Sequence, residues 1–488
     1  MAARRASLAL LGPTLVLAIS ALTCTFERRP QQMSPEWDAP LPRVVSAWKR
    51  ESRFTYNTYS DIDRQGRFVA FVSSVRDGPG GVYLRDMRNE VITRLDSWYK
   101  SHQPVPGTPA DERTYKLGSG SPSISATGRF VAFYSHSPHL VAGDENRSPD
   151  IFLYDRKGGR LQLVSTNSEG AQADGASLYP SVSATGRYIA FSSRAQNFSD
   201  DRTHRVEVYI KDMRTGKVRF ASRGSRSGRL RGNAWTGSIS DDGTRVAFTS
   251  DASDLVPGDT NRASDAFVAD LSSGDITRVS VTSGGKELVP FEYAESASLY
   301  RDGVREVVLS GDGRVAAFAT HANGLVPEDS NNNVDIYVHD LDAQRTERAS
   351  VTSSGTDGYR EEDRECGSNG ECFSFIWSHS PTLSHDGRYI SFLSGAPLLD
   401  PTGDNRTGSD EDVFVHDRQT GLTALVNRTF RGEPARGYNL YAGSISSDGR
   451  WISFATDGRL LRKRHGRGEN GDVYLQRLPA PFGPSDSA

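Results

Sequence analysis

Apolar and polar positions along the chain fall into one pattern seven times over. A serine-rich stretch leads to a glycine, and an apolar run follows with phenylalanine five positions later. The pairs are Gly66/Phe71, Gly128/Phe133, Gly186/Phe191, Gly243/Phe248, Gly313/Phe318, Gly387/Phe392 and Gly449/Phe454. The run has no polar face, as in a strand covered on both sides. The glycine suits a tight turn that needs a positive φ. A second signal follows each time: an aromatic opens a short strand that usually closes on Asp. These pairs are Tyr83/Asp86, Phe152/Asp155, Tyr209/Asp212, Phe267/Asp270, Tyr337/Asp340 and Phe414/Asp417; the seventh aromatic, Tyr474, is followed by Arg477 instead. Gly159, Gly216, Gly274 and Gly421 mark the next turn, and a β-branched segment such as Ile276-Thr-Arg-Val-Ser-Val281 completes the unit. Each copy therefore reads as four antiparallel strands, A to D.

Repeats of this kind bury their faces against one another, and closing the ring removes long exposed edges. The pattern predicts an all-β chain folded as a seven-bladed β-propeller over residues 43–477. The seventh copy has no D strand of its own, whereas Arg43-Val-Val-Ser-Ala-Trp48 looks like a D strand with no sheet. Velcro closure by this N-terminal strand, with Val44 to Trp48 beside Val473 to Leu475, balances the count.

The stretch Ser121-Pro-Ser-Ile-Ser-Ala-Thr-Gly-Arg-Phe-Val-Ala-Phe133, followed by Asp150-Ile-Phe-Leu-Tyr-Asp155, resembles the repeat of TolB-type propellers, which are WD-repeat-like. All seven copies fit it. The resemblance implies extracytoplasmic protein binding and is silent about catalysis. This chain departs from TolB in its blade count, seven against six, and in lacking a recognisable extra α/β domain.

Composition changes the picture little. Hydrophobics at 36%, charged residues at 24% and 47 glycines describe a turn-rich globular body, and a net charge of −3 gives no pull toward nucleic acid. The N-terminus differs. Arg4 and Arg5 precede an interrupted apolar run from Leu8 to Leu22, a short h-region rather than a membrane span. Residues 1–24 read as a signal peptide, with Cys24 after Ala21-Leu22-Thr23 as a candidate lipidation site of lipoprotein type, or as a residue lost with the leader. Residues 25–42 read as a tether and 478–488 as a flexible tail. The chain is expected to be exported: periplasmic, tethered at the cell surface as a lipoprotein, or secreted, with membrane contact only through the signal or anchor. Cys366 and Cys372, separated by Gly-Ser-Asn-Gly-Glu, suit a small disulfide loop in an oxidising compartment.

Antiparallel order puts the short A–B and C–D turns at one end of every blade and the longer, variable B–C and D–A loops at the other. Binding residues concentrate on such loops. Three B–C loops repeat Asp-x-Asn-x-x-x-Asp: Asp144/Asn146/Asp150, Asp259/Asn261/Asp265 and Asp329/Asn331/Asp335. Such oxygens could begin a Ca²⁺ site, or fold the loop on its own amides; the glycine and distal glutamate of an EF-hand are missing. Two basic clusters sit in the same loops: Arg223, Arg226, Arg229 and Arg231, and Arg462, Lys463 and Arg464. No Gly-x-Ser-x-Gly nucleophile turn is present, since Gly224-Ser-Arg-Ser-Gly228 has Arg at the central position. The expectation is a binding module for another envelope or extracellular protein, with no catalytic residue identified and no cofactor beyond possible Ca²⁺. The alternative is a carbohydrate-active hydrolase or lyase with its site at the propeller mouth and a glycan as ligand.

Overall fold

The computed structural model describes residues 42–478, apart from segments 46–53, 76–80, 97–117, 199–203, 224–229, 291–302, 359–364, 367–371, 374–376, 400–410, 430–433, 436–438, 457–459 and 461–471 and positions 323, 330, 332, 398 and 442. The leader and Cys24 lie outside the described residues, as do most of the tether and tail and the basic residues Arg226, Arg229, Arg462, Lys463 and Arg464.

Seven four-stranded antiparallel sheets form the propeller, and the described residues contain no helix. Blades 1 to 6 span 54–94, 119–163, 177–220, 234–278, 304–348 and 378–425, each in the simple order A-B-C-D. Blade 7 takes strands A to C from 439–477, and Arg43–Val44 pairs as its outermost strand, in register Arg43↔Leu475 and Val44↔Tyr474. The Val45 amide extends the pairing to the Val473 carbonyl at 2.7 Å; residues 46–48 lie outside the described set.

Each element of the repeat has a physical role. The phenylalanine of strand B is fully buried in every blade and stacks on the aromatic of strand C, with centroids 5.7 Å apart for Phe71/Tyr83 and 5.6 Å for Phe248/Phe267. The last serine of strand A caps the A–B turn, accepting the amide five residues on: Phe130 N to Ser125 Oγ, Tyr188 N to Ser183 Oγ, Val315 N to Ser310 Oγ, each 3.0 Å. The turn glycine Gly243 has φ +76°, and a Cβ there would lie 2.2 Å from the Tyr188 ring of the preceding blade. Glycine is thus needed twice, for its backbone and for the neighbour seated on it. The arginine after the turn clamps the aspartate that ends strand C. In blade 2 Arg129 Nε and Nη2 reach Asp155 at 2.9 and 2.8 Å, and blades 1, 3 and 6 repeat the fork.

Hydroxyls also join blades. Ser123 Oγ accepts the Val182 amide of blade 3, Ser181 that of Ile239 and Ser238 that of Leu309, at 3.1, 3.1 and 2.6 Å. Asp61 does the same for Ile124 and Thr382 for Ile445. Blade 5 breaks this belt, because Val308 stands where the others carry an oxygen.

Candidate functional site

The inner strands enclose a channel of about 800 Å³. At the A–B end, residues from blades 1, 4 and 6 meet across the lumen. Asp241 Oδ2 lies 2.7 Å from His385 Nδ1 and 3.1 Å from Arg64 Nη2. Gly311 leaves them room, since a Cβ there would fall 2.5 Å from His385 Nδ1. Backbone bonds around the same rim, such as Asp241 N to the Gly311 carbonyl at 2.7 Å and Asp312 N to that of His385 at 2.8 Å, tie successive blades. This end is bridged.

At the B–C/D–A end every inner strand carries a register shift. In blades 1, 2, 3 and 6 the bulge puts a non-glycine residue at positive φ: Tyr59 (40°), Ser121 (46°), Tyr179 (54°) and Ser380 (54°). A β-bulge re-aims the side chain it carries, and all of these but Ser380 line the channel, with Trp235 on blade 4 and Arg305 and Glu306 on blade 5.

Blades 5 and 6 bring together an ionisable cluster. The Ser380 amide donates to Glu306 Oε1. His379 Nδ1 lies 3.0 Å from Ser380 Oγ, and its Nε2 lies 3.0 Å from Glu411 Oε1. The Arg305 guanidinium sits 4.7 Å from the ring centre of Trp377. Burial raises the Glu306 carboxyl above the usual range, against the opposing pull of the Ser380 amide. For His379 burial works against the charged ring, but the hydrogen bond and charge of Glu411, with Glu306 nearby, carry its pKa above the ordinary value. None of these residues was singled out as a site from the sequence; the signal was a departure from the repeat. Aligned on the capping serine, blade 5 reads Val-Arg-Glu-Val-Val where blade 2 reads Ser-Gly-Ser-Pro-Ser.

The Asp-x-Asn-x-x-x-Asp loops are folded on their own donors. Asp150, Asp265 and Asp335 open strand C, fully buried, and each accepts a hydroxyl from strand D or just beyond it: Ser165, Ser280 and Ser350. Those hydroxyls in turn accept the next amide of strand C, Ile151, Ala266 and Ile336. Asn261 and Asn331 donate to the same acids at 2.9 and 2.8 Å, and Asn146 Nδ2 donates to the Ala173 carbonyl at 2.7 Å. Between the acids of each loop stands an N–H donor. Gln172 Nε2 bonds Asp144 and Asp150 at 2.8 and 2.9 Å; Arg278 lies 3.5 and 3.7 Å from Asp259 and Asp265; Arg348 lies 3.4 Å from both Asp329 and Asp335 and also pairs with Asp357. A hard cation needs converging oxygens, and here amide or guanidinium nitrogens fill the gap. The residues present do not fit Ca²⁺. Among the described residues no group of three or more His, Cys, Asp or Glu is disposed to hold a metal ion.

Arg223 corrects the reading of the first basic cluster. It is buried, bonded through Nε and Nη2 to Glu207 at 2.6 Å each, and lies over the Phe220 ring at 3.9 Å. It ties the C strand of blade 3 to the end of its D strand rather than facing a partner. Arg231 is exposed. Cys366 and Cys372 lie opposite one another in a two-stranded ribbon, Glu365–Cys366 against Cys372–Phe373, within the D–A connection that leads into blade 6.

No family model matches the chain, and no curated protein does. Solved structures resemble it in shape. The oligogalacturonate lyase of Vibrio parahaemolyticus is 11% identical over 90% of this chain and 97% of its own, with a TM-score of 0.49. TolB from Acinetobacter baumannii is 17% identical, covering 85% and 79%, at 0.37. The acylaminoacyl peptidase of Pyrococcus horikoshii is 10% identical, covering 88% and 54%, at 0.46.

Proposed function

We propose that the protein is an exported binding module that meets another envelope or extracellular molecule at the B–C/D–A end, with the channel mouth as the anchoring pocket. The asymmetry of the channel carries this reading. Three residues cross the lumen at the A–B end, while the repeat's uniformity breaks at the other, where Tyr59, Tyr179 and Glu306 take the place of Ser121 and Ser380, with Trp235 and Arg305 lining the channel beside them. Rigid scaffolds of this kind present binding groups where the loops vary. Export is inferred from the leader-like residues 1–24, and the opposed Cys366 and Cys372 suit a disulfide in that compartment.

The test is retention of the partner from its native envelope by the immobilised chain. Exchanging Tyr59 and Tyr179 together for Ser should weaken retention about tenfold or more, as loss of central aromatic anchors does. The turn variants Lys157→Glu and Arg214→Glu, exposed at the opposite end, should retain it fully. The reverse result would move the site to the A–B/C–D end.

A further inference from the structure

We infer, resting on that reading of the channel mouth, that its occupant is an oligosaccharide with free vicinal hydroxyls. The mouth has two unlike walls. On blades 1, 3 and 4 it presents Tyr59, Tyr179 and Trp235, and the two tyrosines are 47% and 48% exposed. On blades 5 and 6 it is polar and charged, with Arg305, Glu306 and Thr382. Glu306 gives one oxygen to the Ser380 amide, and its other oxygen receives no hydrogen bond from the described residues. A sugar ring has the same division. Its C–H faces are weakly apolar and slightly positive, which suits the negative face of an aromatic ring. Its paired hydroxyls both donate and accept, which suits a carboxylate beside a guanidinium. A channel of about 800 Å³ is also the size of a ligand pocket.

Other occupants satisfy only one wall. An apolar peptide side chain or a lipid tail would displace water from Arg305 and Glu306 and offer no polar atom in return, at the cost of their hydration. A nucleic-acid backbone would bring a dense run of phosphates against Glu306 in a chain that is already net negative. A neutral, hydroxyl-rich chain pairs with both.

The backbone supplies an independent observation. Tyr59 and Tyr179 are bulky residues in the left-handed region, where Gly or Asn would sit with less strain. Blade 2 carries Ser121 at the equivalent bulge with nearly the same φ. The bulge is therefore architecture, and a tyrosine on it is something the architecture does not require. Strained residues of this sort gather at ligand sites.

The full exported chain, fluorescently labelled, should be applied to an array of defined neutral and amino oligosaccharides, with binding then measured by calorimetry. At least one oligosaccharide should bind. Its affinity should fall tenfold or more in Tyr179→Ser and in Glu306→Gln, while the melting temperature of Tyr179→Ser stays at the parent value. Tyr59→Ser provides a second variant should Glu306→Gln fold poorly, since Glu306 also joins two blades. Sugar binding indifferent to both tyrosines would overturn the inference. An array of extended peptides bound in a Tyr179-dependent way, with no sugar bound at millimolar concentration, would also overturn it while leaving the channel mouth as the binding site. No Tyr179-dependent binding on either array would overturn both.

Discussion

Strand C of blade 2 begins at Asp150 and ends at Asp155, and the two aspartates meet opposite environments. Asp150 is fully buried among Ser165, Gln172 and Asp144, and burial lifts its carboxyl to about 6. Asp155 sits near solvent in the Arg129 fork, whose hydrogen bonds hold it down at about 2. Other blades share one half of the division or the other: Asp265 and Asp335 are raised to about 6 at the loop end, chiefly by burial, and Asp86 and Asp212 are lowered to about 2 at the turn end by Arg67 and Arg187. One residue type serves two purposes because its surroundings differ. At the turn end it fastens a uniform rim; at the loop end it anchors loops beneath the variable face.

The largest expected effect comes from removing an arginine at each end. Arg348 is 3% exposed amid Asp329, Asp335 and Asp357. Arg348→Met would strand the buried Asp329 and Asp335 and should cost about 3–5 kcal/mol of unfolding free energy. Arg129→Met should cost far less, since Arg129 is 41% exposed in its fork and solvent screens the pair. Urea melts of the two variants side by side check this, and equal losses would erase the distinction between the ends.

A smaller effect is expected at the ribbon of the loop end. If Cys366 and Cys372 are joined, closing so short a loop stabilises by about 2 kcal/mol in the chain-entropy model, and an unreduced digest should contain the linked peptide. Two free thiols in protein recovered from an oxidising compartment would contradict the assignment.

The perturbation that needs no substitution is pH itself. A carboxyl raised in the fold favours the protonated native state. The stabilisation from Asp150, Asp265 and Asp335 is therefore complete below about pH 4 and lost as pH rises through 6. The forked acids behave oppositely: their stabilisation is complete above about pH 4 and lost as pH falls toward 2. Carboxyl carbon NMR should show Asp150 titrating near 6 and Asp155 near 2; coincident midpoints near 4 would contradict the account.

Much of this architecture is legible in the sequence, because a repeated pattern states each contact several times. Gly243 with Phe248, and Phe267 with Asp270, recur in kind through the chain and announce turn, core and clamp. The orphan strand at Arg43–Val44 follows from counting. What was not legible depends on which residues meet across blades. Glu306 and His379 lie far apart in sequence and come together only because inner strands of adjacent blades run side by side. Arg223 reads as one member of an exposed basic run, and nothing local reveals that Glu207 waits in the neighbouring strand. The calcium-like loops could be read either way, since Arg278 and Arg348 enter them from strand D. With the seven inner strands aligned on their turn caps, Asp63 in blade 1 and a serine in the other six, Tyr59, Tyr179 and Glu306 stand out against Ser121 and Ser380.

The central claim is that the two ends of these blades divide structure from recognition, and amide hydrogen exchange tests it most directly. The full chain should be compared with and without the partner or sugar identified by the tests above. Added protection should fall on the bulged inner-strand segments 58–60, 178–181, 304–306 and 379–382 and on the loops beside them, with the A–B and C–D turns unchanged. Protection concentrated on those turns, around Gly128, Lys157 and Gly243, with the bulges unaffected, would contradict it.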